Sequence, residues 1–114
     1  MTEPRLASHV EVAAFIKRAN GNGDFATVIR KGDLTSGAIL LLGRVRGQNP
    51  KLFDRFPSFD GPPIWVETAS EDTDSEQKIV EYCARRSAAD PDLWILELDV
   101  AQPERLTGYL ALQG

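Results

Sequence analysis

Glu97 and Asp99 are the two carboxylates whose spacing comes nearest to a catalytic pair. Two positions apart on an extended strand, they share one face at about 6.6 Å, which overlaps the roughly 6.5 to 9.5 Å between the carboxyls of inverting glycosidases. Any solvent-facing strand with two acids has the same spacing, so a solvated face is the stronger reading. His9 and Cys83 are the one histidine and the one cysteine of the sequence. Nucleophilic catalysis needs a nucleophile, a base within reach and an orienting third group. Zinc prefers three or four His and Cys ligands and the sequence has two such residues, so neither a metal nor a cofactor is expected. His9 falls in the first turn of a helix, where the dipole disfavours its cation, and Cys83 falls in an apolar stripe, where burial suppresses the thiolate. Gly32-Asp33-Leu34-Thr35-Ser36-Gly37 has the look of a phosphate loop but lacks the Lys-Ser or Lys-Thr pair opening a helix. It reads as a hairpin connection in which Asp33 and Ser36 bond local amides.

The elements that position these residues follow from periodicity. Ser8-His9-Val10-Glu11 has the spacing of a capping box and predicts a helix over 9–20, with Val10, Ala13, Ala14 and Lys17 on one stripe and Phe15 and Ile16 widening it. Asn20-Gly21-Asn22-Gly23 stops it. Phe25–Lys31 and Ala38–Arg46 read as strands paired in a hairpin, followed by strands over Lys51–Phe56 and Ile64–Thr68. Four strands in succession suggest an antiparallel meander. A second capping box, Thr73-Asp74-Ser75-Glu76, opens a helix running to about Ala88 with Ile79, Val80, Cys83 and Ala84 on one face. Leu93–Val100 is the strongest strand, with Trp94, Leu96, Leu98 and Val100 toward the helices and Glu97 and Asp99 away from them. The crossover through the second helix can set this last strand parallel to a neighbour. The expectation is an α+β, two-layer sandwich: a largely antiparallel five-stranded sheet with two helices on one face, in the order α-β-β-β-β-α-β. Residues 1–102 form one domain, and 103–114 form a tail in which Leu106, Tyr109, Leu110 and Leu112 suit a short docking helix.

The contact surface follows from strand parity. If Leu52, Phe56, Ile64 and Val66 face the core, then Phe53, Arg55, Trp65 and Glu67 face outward together, with Arg55 opposite Trp65 and Phe53 opposite Glu67. Arginine over indole contributes about 0.5 to 2 kcal/mol, so a structural pair already accounts for that contact. Exposed Trp and Arg are also enriched in interface hot spots. The favoured function is therefore a small non-catalytic interaction or regulatory module. It is expected to be homodimeric, or bound to an unidentified protein, through Phe53, Arg55, Trp65 and Glu67 or through Leu106, Tyr109 and Leu110. One alternative is a single-stranded nucleic-acid platform, with bases on Phe53 and Trp65 and phosphates near Arg44, Arg46, Lys51 and Arg55. Glu67, Glu97 and Asp99, expected on that same outer face, oppose it. An enzyme with an unrecognised carboxylate site is the second alternative.

Composition narrows the setting. The net charge of −4 divides into +4 over residues 1–57 and −8 over 58–114, which is not the balance of a basic nucleic-acid domain. A lone cysteine makes no internal disulfide, which points to a reducing cytoplasm. Met1–Arg5 has no apolar stretch behind it, so no signal peptide is expected, and the longest apolar run, Ala38–Leu42, is far shorter than the roughly 20 residues of a bilayer span.

Phe15–Leu42, with Ala19-Asn20 and Arg30-Lys31-Gly32-Asp33 inside it, and Asp90-Pro91-Asp92-Leu93-Trp94-Ile95 together resemble the alphaproteobacterial domain of unknown function 1491 family up to about Asp99. The resemblance implies a bacterial cytoplasmic protein and brings no catalytic residues. The tail after Val100 is longer than the family pattern.

Overall fold

Eight elements follow one another along the chain in the computed structural model, which describes residues 7–56, 64–68 and 76–113. They are α1 (Ser8–Gly21), β1 (Phe25–Arg30), β2 (Ile39–Val45), β3 (Gln48–Phe56), β4 (Ile64–Thr68), α2 (Glu76–Ala89), β5 (Trp94–Val100) and α3 (Pro103–Gln113). The class is α+β and the order through β5 is the expected one. The sheet is mixed, in the order β1-β5-β2-β3-β4. β5 runs antiparallel to β1 and parallel to β2, whereas β2-β3-β4 is an antiparallel meander.

The expected β1–β2 hairpin does not form, because β5 inserts between the two strands. Leu93, just before it, and its first three residues, Trp94, Ile95 and Leu96, are continuous apolar chain with a buried side chain on each face, as a central strand requires. The β2–β3 turn is the tight hairpin instead: Arg46 and Gly47 both have positive φ, the geometry of a two-residue type I′ connection.

Two apolar layers line the sheet, so the helices do not share one face. Trp94, Leu96, Leu98, Leu41 and Phe53 form one layer with Phe15 of α1 and Leu106 and Tyr109 of α3. Leu40, Leu42, Leu52, Leu93 and Ile95 form the other with Ile79 of α2. The two-layer expectation thus becomes α1 and α3 on one side and α2 on the other. Alternation on β5 foretold the covered Trp94 face; the second layer, with Leu93 and Ile95 buried on the opposite parity, departs from the expectation of a sheet buried on one side only.

The first capping box is not a cap. Ala7 is the N-cap, and Ser8, inside the helix and buried, donates its hydroxyl to the Gly37 carbonyl at 2.8 Å. Glu11 is turned to Arg55 instead. The buried stripe of α1 is Ser8, Val12, Phe15 and Ala19, which leaves Val10 exposed. The second box, at Thr73–Ser75, the loop 57–63 and the terminus Met1–Arg5 lie outside the described residues.

Gly32 and Gly37 are required by a close approach. A β-carbon on either would stand 2.2 Å from the Asp92 carbonyl oxygen, so the loop before β5 seats directly on the loop before β2. Asp33 accepts amide hydrogen bonds from Thr35 and Ser36, and Trp94 donates its indole N–H to the Asp33 carbonyl at 2.7 Å.

Candidate functional site

The strand register is as parity requires: Arg55 stands opposite Trp65 and Phe53 opposite Glu67. The face is not the open one expected, because α1 and α3 lie across it. Phe53 is 7% exposed within the layer under the helices. The Arg55 side chain is 8% exposed and forks onto Glu11 of α1 at 2.5 and 3.0 Å, with its guanidinium 5.9 Å from the centre of the Trp65 ring. Trp65 is half-buried against the same apolar layer. Leu52 does face the core, under α2, whereas Phe56, Ile64 and Val66, assigned inward with it, are exposed. A strand's parity fixes which residues travel together; it does not fix which side a helix covers.

The tail packs on its own subunit. Pro103 occupies the first helical position of α3, where its missing N–H is no loss. Leu106, Tyr109 and Leu110 recur at helical spacing and meet the sheet. Leu106 rests on Gly43. Asp24, 4% exposed, accepts from Arg105 Nη2 at 2.7 Å and from the Tyr109 hydroxyl at 2.6 Å, which fastens α3 to the start of β1. The Arg105 hydrogen bond holds the Asp24 carboxyl below its usual range, with Tyr109 adding to it and burial opposing. Burial, then the Asp24 carboxylate, raises the Tyr109 phenol.

Between α3 and the ends of β2, β3 and β4 lies an open groove of about 450 Å³. Its apolar walls are Val45, Pro50, Phe53, Leu106 and Leu110; Lys51 and Glu67 bring one charge of each sign, and Thr107 stands exposed on α3. Phe53, Glu67, Leu106 and Leu110 were predicted contact residues, and the fold brings them here. Arg55, Trp65 and Tyr109 were predicted with them and do not line the groove: they hold α1 and α3 in place. Sequence reasoning missed Val45, Pro50 and Thr107, which only the crossing of α3 over the strand ends brings together.

The nucleic-acid set is divided by the sheet. Phe53, Arg55 and Lys51 are on the α1–α3 side, whereas Arg44 is on the α2 side, bonded to Glu76 and Glu97. With Phe53 buried, Arg44 and Arg55 held by carboxylates and Arg46 donating to the Ala101 carbonyl, the six residues make no stacking platform. Glu97 and Asp99 do share a face, on the side opposite Glu67. Glu97 accepts from Arg44 Nε at 2.6 Å, and Asp99 accepts the Gly47 amide at 3.0 Å.

The other titratable groups with displaced pKa values also serve the scaffold. Glu76 is lowered and Arg44 raised by their mutual hydrogen bonds, which tie α2 to β2. Arg86 is raised chiefly by its fork onto Asp54 at 2.7 and 2.8 Å. Burial raises the half-buried Cys83 thiol. His9 is exposed, with Nδ1 2.9 Å from the Leu34 carbonyl. Among the described residues, no group of three or more His, Cys, Asp or Glu is placed to hold a metal ion. None of their helices is long and apolar enough to cross a membrane.

A family model described as a protein of unknown function, DUF1491, matches residues 6–108. The chain belongs to the DUF1491 family. The match extends beyond Asp99 into α3, so the first half of the docked tail is part of the family pattern. A crystal structure at 1.87 Å of a DUF1491 protein from Caulobacter crescentus CB15 is similar at 33% identity and a TM-score of 0.76, over 86% of this chain and 91% of that one. An NMR structure of a DUF1491 protein from the same organism has 33% identity and a TM-score of 0.72, over 86% and 88%. The solution structure of protein Atu0922 from A. tumefaciens has 26% identity and a TM-score of 0.68, over 87% and 89%. No curated protein matches the sequence.

Proposed function

We propose that this DUF1491 protein is a non-catalytic protein-interaction module whose recognition site is the groove beneath α3. The occupant is an extended peptide segment of a partner protein that inserts a large apolar side chain. The observation that carries the reading is the groove itself: about 450 Å³, apolar walls, and Lys51 and Glu67 lining it on adjacent strands. That volume falls within the range of small-ligand and side-chain pockets. An apolar wall supplies affinity, and two opposite charges select a segment with an acid toward Lys51 and a base toward Glu67. The strongly displaced titratable groups stand in helix-fastening pairs rather than converging on this space, which favours binding over catalysis. A free, half-buried thiol with a raised pKa supports a reducing, cytoplasmic setting.

Peptides displayed on phage and selected on the native protein test the reading. The expected consensus has one large apolar residue between an acid and a base, bound in the micromolar range. Thr107→Arg, an exposed position on the groove wall, should weaken such peptides at least about tenfold with unchanged circular dichroism, and Lys51→Glu should weaken those bearing the acid. Enriched peptides that bind both variants as well as wild type would place the site elsewhere.

A further inference from the structure

The two edges of the sheet are unlike. β4 is five residues long and carries Glu67, and charge on a short strand is a common guard against edge pairing. On β1 the guards sit only at the far end, where Arg30 closes the strand and its register shifts between Val28 and Arg30; Phe25-Ala26-Thr27-Val28-Ile29 holds neither charge nor proline. Phe25 is 73% exposed and Ile29 51%. Phe25 and Thr27 lie opposite Asp99 and Glu97, on the side where α2 packs, and α2 seats over Leu40, Leu42 and Leu52 without covering Phe25. β5 satisfies one side of β1 only, so a row of outward N–H and C=O groups remains with apolar side chains beside it.

We propose that β1 pairs antiparallel with β1 of a second copy, making a two-fold dimer with one continuous ten-stranded sheet. Charge selects both the partner and the direction. Asp99 stands beside Phe25 at one end of the strand; at the other, Arg30 donates to the Pro91 and Leu93 carbonyls of its own chain, and the exposed Lys31 that follows it is the available cation. An antiparallel copy sets each basic end against the partner's acidic end and brings a cation toward an exposed Phe25 ring; a parallel copy sets like against like. A two-fold axis makes both halves of the contact equivalent, as an isologous interface requires. A single strand pair buries less than the roughly 800 Å² per partner of a standard interface, so the dimer is weak, with a dissociation constant in the micromolar range or above. The site named for self-association in the sequence thus moves from the covered sheet face to the sheet edge, and it is independent of the α3 groove.

Sedimentation velocity of the full chain from about 10 μM to 1 mM tests the inference. Wild type should shift from monomer toward dimer with rising concentration. The Phe25→Lys/Ile29→Lys variant should stay monomeric with a native circular dichroism spectrum. Thr107→Arg should dimerise as wild type does, which separates a failure here from a failure of the groove. If the lysine variant does not fold, a second test uses Thr27→Cys in a Cys83→Ser background. It should oxidise to a covalent dimer faster than Val10→Cys in the same background. A wild type that is monomeric at 1 mM, a dimer that survives both lysines, or equal oxidation at positions 27 and 10 would overturn the proposal.

Discussion

Leu106 occupies the space a side chain at Gly43 would need, and that contact predicts a measurable coupling. A β-carbon on Gly43 would lie 2.9 and 3.0 Å from the Leu106 methyls and 3.3 Å from Phe53 Cε2. Gly43→Ala reduces the freedom of the unfolded chain, worth about 0.4 to 1 kcal/mol, but overpacks the layer by about 1 to 3 kcal/mol, so its net effect runs from about zero to about 2.6 kcal/mol of destabilisation. Leu106→Ala, at a site 7% exposed, removes a core side chain at about 2 to 5 kcal/mol. At about 4 °C per kcal/mol for a chain of this size, the midpoint should fall by roughly 8 to 20 °C. In the double variant the new methyl enters space that Leu106 has vacated, so its loss should fall short of the sum of the two single losses by about 1 kcal/mol or more. Urea unfolding followed by circular dichroism, with unchanged slope across the four proteins, measures this cycle. Additivity within about 0.5 kcal/mol would refute the packing of α3 on β2, and with it the wall of the groove.

Other perturbations test the remaining ties. Asp24 is held below the ordinary aspartate value of 3.8, so its contribution is full above that pH and is lost as pH falls through the lower folded-state value. Asp24→Asn should therefore flatten the loss of stability at acid pH in equilibrium unfolding, and an unchanged acid limb would contradict the Asp24–Arg105 tie. Gly37→Ala drives a methyl into the Asp92 carbonyl and should cost more than about 3 kcal/mol or prevent folding, seen as loss of soluble expression and of the thermal transition. Ser8→Ala removes the buried donor to Gly37, leaves that carbonyl without this partner and should cost about 1 to 3 kcal/mol in the same unfolding assay; an unchanged stability would contradict the tie. Cys83 should react with a thiol reagent more slowly than a free cysteine, and unfolding in urea should abolish the difference.

What could be read beforehand was what is local. Helices at 3.6-residue spacing and strands at period two put α1, β3, β4 and β5 within a few residues of their places, and parity gave the Arg55–Trp65 and Phe53–Glu67 pairs. What could not be read was tertiary. Sequence adjacency favours a β1–β2 hairpin, yet β5 is the strand apolar enough on both sides to sit between them. Ser8 and Glu11 have cap spacing, but a buried Gly37 carbonyl and the Arg55 guanidinium compete for them and prevail. The contact residues were half legible for the same reason. Phe53, Glu67, Leu106 and Leu110 do line one groove, but only the crossing of α3 over the strand ends decides that Trp65, Arg55 and Tyr109 support it from behind.

The most direct measurement of the central claim is a heteronuclear NMR titration of the methyl-labelled protein with a selected acid–apolar–base peptide. The account predicts saturable shifts of the Val45, Leu106 and Leu110 methyls, with Ile79 on the α2 side and Ile29 on the sheet edge left in place. Shifts centred on Ile79 or Ile29, with the α3 methyls unmoved, would contradict it.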